Sequence, residues 1–177
     1  MFTIATWFLG MVMQALVPPT AEDVREMSAV FPHKVSKAVA VAIAEGLRDD
    51  PSPPLLGNYH DETMLILEYA WRESTFRTNA VGDHGLSLGL LQLQRLPKAV
   101  AFDPKQSVII WLQRAHEAYA LCSDNAEEDR LAALCSGNCK HGRVEARGRY
   151  RRVMSLLAER PSNQEYTAAE DTSSIRE

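Results

Sequence analysis

The apolar positions of this chain fall into helical stripes separated by short polar and proline-rich breaks. The clearest stripe is DETMLILEYAWRE, residues 61–73. On a 3.6-residue wheel Ile66, Tyr69 and Ala70 share a face with Glu73, while Met64, Leu67 and Trp71 cover another. Only Glu68 and Arg72 make a polar edge, and their i,i+4 spacing lets them pair. A helix apolar nearly all round is a buried helix, which predicts apolar surroundings for Glu73. Burial disfavours a charged carboxylate. A carboxylic acid that keeps its proton is what general-acid catalysis needs.

Other stripes flank this one. Thr20 and Asp23 read as a capping box ahead of a short acidic helix that Pro32 ends or bends. Residues 34–47, KVSKAVAVAIAEGL, read as an amphipathic helix, and its small residues let another helix approach closely. The proline-rich stretch 49–58 is a connector, with Asn58 or Asp61 as cap of the Glu73 helix. Asp103-Pro104 opens a further helix over residues 104–122, with Val108, Ile109, Trp111, Leu112, Ala115 and Tyr119 on its apolar side. Between these helices Gly82, Gly85 and Gly89 punctuate a loop. Its pieces LSLGLLQLQ are compatible with a small hairpin, although a cleft-lining loop followed by a short helix is the preferred reading.

Composition changes this picture little. The 177 residues suffice for one domain with a real core, and 46% hydrophobic with 24% charged residues is ordinary for a globular protein. A formal net charge of -4 argues against a bulk-charge polyanion binder. Residues 2–17 are strongly apolar and read as a signal-peptide core, a membrane anchor or a packed helix. The polar stretch after Pro161 reads as disordered. The expected division is therefore an N-terminal segment over 1–20, a domain over 21–160 and a tail over 161–177.

Candidate chemistry concentrates between Glu73 and Gln92. Ser87, Gly89, Leu90 and Gln92 are expected opposite the end of the Glu73 helix, and Gln92 can both donate and accept hydrogen bonds, as hydroxyl and acetamido groups require. Asp83 reads either as a turn aspartate bonding its own backbone or as a second acid. The three cysteines allow one bridge and one leftover thiol. An oxidising compartment favours Cys122–Cys139, and a reducing one leaves three buried thiols. A zinc set with His141 is disfavoured by the irregular spacing C-x12-C-x3-C-x-H. The basic run over 140–152 reads as a solvated helix face. It lacks the aromatic interleaving of a nucleic-acid site, so no nucleic-acid partner is expected.

The string Glu73-Ser74, Phe76, Ala80-Val81, Gly82-Asp83, Gly89-Leu90-Leu91-Gln92 resembles the signature of the lysozyme-like superfamily. The likeness is strongest to soluble lytic transglycosylases and goose-type lysozymes. It implies a mainly α, lysozyme-like α+β domain with a substrate cleft and at most a small β-hairpin. It also implies an enzyme that cleaves the MurNAc-β-1,4-GlcNAc bond of peptidoglycan, with no cofactor or metal; export, or membrane association through residues 2–17, is the expectation if that apolar segment is a signal or an anchor rather than a packed helix. Glu73 would protonate the glycosidic oxygen. It would then take a proton from the muramoyl C6 hydroxyl, leaving a 1,6-anhydro end. Hydrolysis by a lysozyme needs a second carboxyl, for which Asp83, and less so Asp103, is the candidate. Two departures stand out. Leu134 and Cys135 occupy the places of the family's substrate-facing Tyr-Asn pair, and no serine lies near Gly82 apart from Ser87. Tyr150 resembles another family position that reaches the cleft. The loss of the Tyr-Asn pair keeps a non-catalytic wall-binding module open as an alternative.

Overall fold

Thr20 opens the first helix of the structure, a computed structural model that describes residues 17–159. The readings placed on residues 2–16 and on the polar tail lie outside the described residues. The Thr20 hydroxyl accepts from the Asp23 amide and Asp23 returns to the Thr20 amide, a full capping box before α1, Ala21–Met27. Helix α2, Lys37–Asp49, begins later than its apolar pattern, because Ser36 caps it and the Val35 amide is tied to the buried Ser28 hydroxyl. Asn58, rather than Asp61, caps α3, Tyr59–Ser74, by accepting from the Asp61 amide at 2.8 Å.

Three two-residue strands come next: β1 (Val81–Gly82), β2 (Ser87–Leu88) and β3 (Leu93–Gln94). They form one antiparallel sheet in the order β1-β2-β3, with Leu88 opposite both Val81 and Leu93. The short helix α4, Lys98–Ala101, leads to α5, Pro104–Leu121, which the Asp103 carboxylate caps. Helix α6, Ala132–Ser136, and helix α7, Arg143–Ala158, complete the described chain. The protein is mainly helical with a small antiparallel sheet, in keeping with the expected mainly α class; the sheet has one strand more than a hairpin and stands where a loop is the preferred reading of the sequence. Among the described residues no helix is long and apolar enough to cross a membrane.

Helix α3 runs through the core, where Leu65, Ile66 and Leu67 are fully buried on successive faces. Helix α2 packs on α5 through Gly46, where a Cβ would lie 2.5 Å from Val108 Cγ1, so a side chain there would force the helices apart. One polar expectation changes. Glu68 is buried rather than on a polar edge, and Arg72 reaches its Oε1 at 2.9 Å. The basic run is largely a solvated face, with Lys140, His141, Arg143, Arg151 and Arg152 exposed, and Arg149 is its exception. Arg147 is paired with Glu128 and Asp129, Arg151 with Glu128, and Arg149 with Glu73 and Glu145. Cys122 and Cys139 are joined in a disulfide that ties the end of α5 to the segment before α7, and Cys135 is free.

Glu62 is buried at the start of α3 and accepts a hydrogen bond from the Leu55 amide at 3.2 Å. Burial, opposed by that hydrogen bond and reinforced by nearby Asp50, pushes its carboxyl up to about 7, against 4.5 for a free side chain. The folded state therefore prefers protonated Glu62. Its favourable contribution is complete below pH 4.5 and is lost as pH rises through 7. At about 1.4 kcal/mol per unit this amounts to at most about 3 kcal/mol. The Glu62→Gln variant stays neutral at every pH and keeps an acceptor for Leu55. Urea unfolding should show little difference from wild type at pH 4 and a variant more stable by up to about 3 kcal/mol at pH 8. A difference that does not change with pH would refute this account.

Candidate active site

The two residues after α3 shape its last turn. Thr75 (φ 54°) and Phe76 (φ 63°) both take left-handed backbone, which is unusual for a β-branched and an aromatic residue. Packing holds them there. The Phe76 ring meets Phe31 edge-on at 5.7 Å and Trp71 at 5.6 Å, and the Thr75 amide donates to the Trp71 carbonyl. The chain thus leaves the helix sharply, and Glu73 is left on the final turn with its side chain 28% exposed.

The loop is pinned back onto this helix end. Buried Ser74 donates to the Leu90 carbonyl at 2.7 Å, a direct link between the two halves of the Glu73–Gln92 string. The Gln92 side-chain amide donates to the carbonyls of Ala80 and Gly89 and lies over Gly82, where a Cβ would meet its Oε1. Ser87 donates to the Asp83 carboxylate and accepts from Gln94 Nε2 at 3.1 Å. The sheet therefore carries a string of polar side chains from Asp83 to Gln94. Arg114 on α5 extends it by donating to the Gln94 carbonyl.

Between these walls lies a groove of about 970 Å³, large for a small-ligand site. Tyr69 and Trp111, 4.9 Å apart edge-to-face, line it with Glu73. Asp83, Ser87 and Gln92–Arg95 contribute the sheet side, and Arg114, Glu117 and Leu121 the α5 side. Residues Ala133–Gly137 and Glu145 complete the lining. Arg149 Nη2 donates to Glu73 Oε1 at 2.7 Å and also to Glu145 Oε1. The Arg149 guanidinium carbon sits 4.2 Å from the Tyr69 ring centroid, a cation–π contact. Glu73 Oε2 accepts no hydrogen bond among the described residues. Free Cys135 lies 3.5 Å from the Tyr69 hydroxyl. Burial, partly opposed by that contact, pushes its thiol up, so it is a neutral thiol rather than a thiolate nucleophile.

No protein-family model, curated protein or solved structure matches this chain. The site must therefore be read from its own geometry. The structure brings Glu73, Asp83, Ser87 and Gln92 to one groove, but it corrects several expectations. The group closest to Glu73 is a guanidinium rather than an apolar shell. Leu90 is fully buried in the core, and Gly89 is packed against the Ala101 carbonyl, so both hold the loop instead of facing the groove. The Ser87 hydroxyl and the Gln92 amide are already engaged with protein partners. Tyr150 is absent from the groove lining. Its phenol is half-buried and pushed up by burial first, then by Glu127 and Tyr119. Asp103 is a helix cap.

The sequence reading missed Arg149, Glu145 and Tyr69. A signal existed for each in the helical spacing. Tyr69 and Glu73 are four residues apart on α3, as are Glu145 and Arg149 on α7. Nothing in the sequence says that those two faces meet.

Proposed function

We propose that the groove binds a peptidoglycan glycan strand and that Glu73 cleaves its β-1,4 bond as a lytic transglycosylase. The observation that carries the reading is the position of Glu73. Its carboxyl stands on the last turn of α3, lines the groove, and has one oxygen fixed by Arg149 and the other unpartnered among the described residues. That free oxygen is the one able to carry a proton to the glycosidic oxygen. It can then accept the proton of the C6 hydroxyl that closes the 1,6-anhydro ring. Exposed Leu121 and the amide of exposed Gln94 give the groove apolar and hydrogen-bonding surface of the mixed kind a sugar chain needs, and buried Tyr69 and Trp111 back its floor.

A second reading, hydrolysis, has a specific observation in its favour. Asp83 and Glu145 also line the groove, so a second carboxyl is at hand to activate water. Mass spectrometry of fragments released from purified peptidoglycan separates the two. The transglycosylase gives 1,6-anhydromuramoyl ends, and Asp83→Asn leaves their yield within about threefold of wild type because the route uses one acid. Reducing ends, with loss of activity in Asp83→Asn, would establish the hydrolase instead. An absence of soluble fragments would refute both.

A further inference from the structure

Four polar or aromatic side chains come together between helices α3 and α7. Tyr69 and Glu73 come from one helix, and Glu145 and Arg149 from the other. Arg149 is the centre of this group. Its side chain is only 11% exposed, its Nη2 bridges two carboxylates, and its guanidinium lies on the Tyr69 ring. Its Nη1 is buried and has no hydrogen-bond partner among the described residues. Fold stability alone does not ask for this arrangement. A buried guanidinium with an unused donor is costly, and an apolar side chain over Tyr69 would avoid that cost.

We propose that Arg149 is the positioning residue for Glu73. It fixes Oε1 so that Oε2 is aimed at the groove, and Glu145 with the Tyr69 ring holds the guanidinium in register. The inference rests on the reading of Glu73 as the reacting acid. Glu145 thereby acquires a role that needs no contact with substrate. It holds Arg149 when the bond to Glu73 loosens during proton transfer, so the guanidinium does not follow the moving charge. Arg149 touches no reacting atom and acts through Glu73 alone. Its removal should therefore lower turnover and leave substrate affinity in place.

The test uses the full chain with Arg149→Met, Arg149→Ala, Arg149→Lys and Glu145→Gln. Kinetics on soluble peptidoglycan fragments should show kcat lowered about 100-fold in Arg149→Met with KM within about threefold, the pattern of a misplaced catalytic group. Added guanidinium ion should restore Arg149→Ala at least about tenfold by refilling the site over Tyr69. Glu145→Gln should lose less than Arg149→Met. Arg149→Met should still fold and melt within several degrees of wild type, because the two carboxylates it frees are partly exposed and can be solvated. The Glu73 carboxyl carbon, assigned by its absence from the 13C spectrum of Glu73→Gln, should shift and broaden in Arg149→Met. An unchanged kcat, or a loss of activity in proportion to lost stability and without guanidinium rescue, would overturn the proposal. If Arg149→Met fails to fold, Arg149→Lys decides, and wild-type kcat in that variant overturns it. A wild-type protein that releases nothing from peptidoglycan counts against the proposed function, and the 13C spectrum then judges the positioning. An unmoved Glu73 resonance in Arg149→Met refutes it.

Discussion

Replacing Glu73 with Gln should lower the release of peptidoglycan fragments by about 10³-fold, the middle of the range for removing a general acid–base. The substitution preserves shape and leaves an amide oxygen where Oε1 accepts from Arg149. What it removes is the group that can give and take a proton. Folding should survive, since Arg149 keeps Glu145 as its second carboxylate and the Glu73 side chain is not deeply buried. The melting temperature should stay within a few degrees of wild type, in line with a loss of about 1 kcal/mol for one partly exposed ion pair. The variant should still sediment with insoluble peptidoglycan, because the rest of the groove is unchanged. This pairing of retained binding with lost cleavage separates the enzyme from a wall-binding module. A module would bind with and without the carboxyl and release nothing in either form. Fragment release by Glu73→Gln at the wild-type rate would remove Glu73 from the mechanism.

The parts of this structure that were legible in the sequence are those set by local rules. Thr20, Asn58 and Asp103 cap helices as their side chains allow, and the apolar periodicity located α3 and α5 to within a few residues. The strands were harder, because two residues are too short to show an alternating pattern. The Glu73–Gln92 string marked a segment that lines the groove but not the division of labour within it. Glu73 and Asp83 face the groove, whereas Ser74, Gly89 and Leu90 fasten the loop to the helix. A residue type cannot say which of these it does, since a loop leucine serves a ligand or a core equally well. The largest omission, Arg149, comes from a partner 76 positions away from Glu73. The ion pairs of the basic run were hidden for the same reason, although most of its residues are solvated as expected. Its arginines find Glu128 and Asp129 only once the chain has turned between α5 and α6.

Gly89 supplies the largest expected effect on stability, and Gly85 supplies its control. Both have left-handed backbone, with φ of 80° and 93°. In Gly85→Ala the new Cβ meets nothing within 4 Å, so only the backbone preference is felt, about 1 kcal/mol. In Gly89→Ala the Cβ would overlap the Ala101 carbonyl oxygen and stand 2.8 Å from its carbon. Those are backbone atoms of α4 and cannot rotate aside. Either the loop or α4 must move, and overpacking added to the backbone preference gives a loss of about 4 kcal/mol. The Gly89 carbonyl also accepts from the backbone and side-chain amides of Gln92, and its own amide donates to Ala80. A shift here therefore opens the sheet side of the groove along with the packing. The Gly89→Ala variant should melt on the order of 10 °C below wild type and, at temperatures where it is folded, cleave poorly. Gly85→Ala should melt within a few degrees of wild type and cleave normally. If the two variants melt together, the close contact with Ala101 is not what holds this loop, and backbone conformation alone accounts for the glycine.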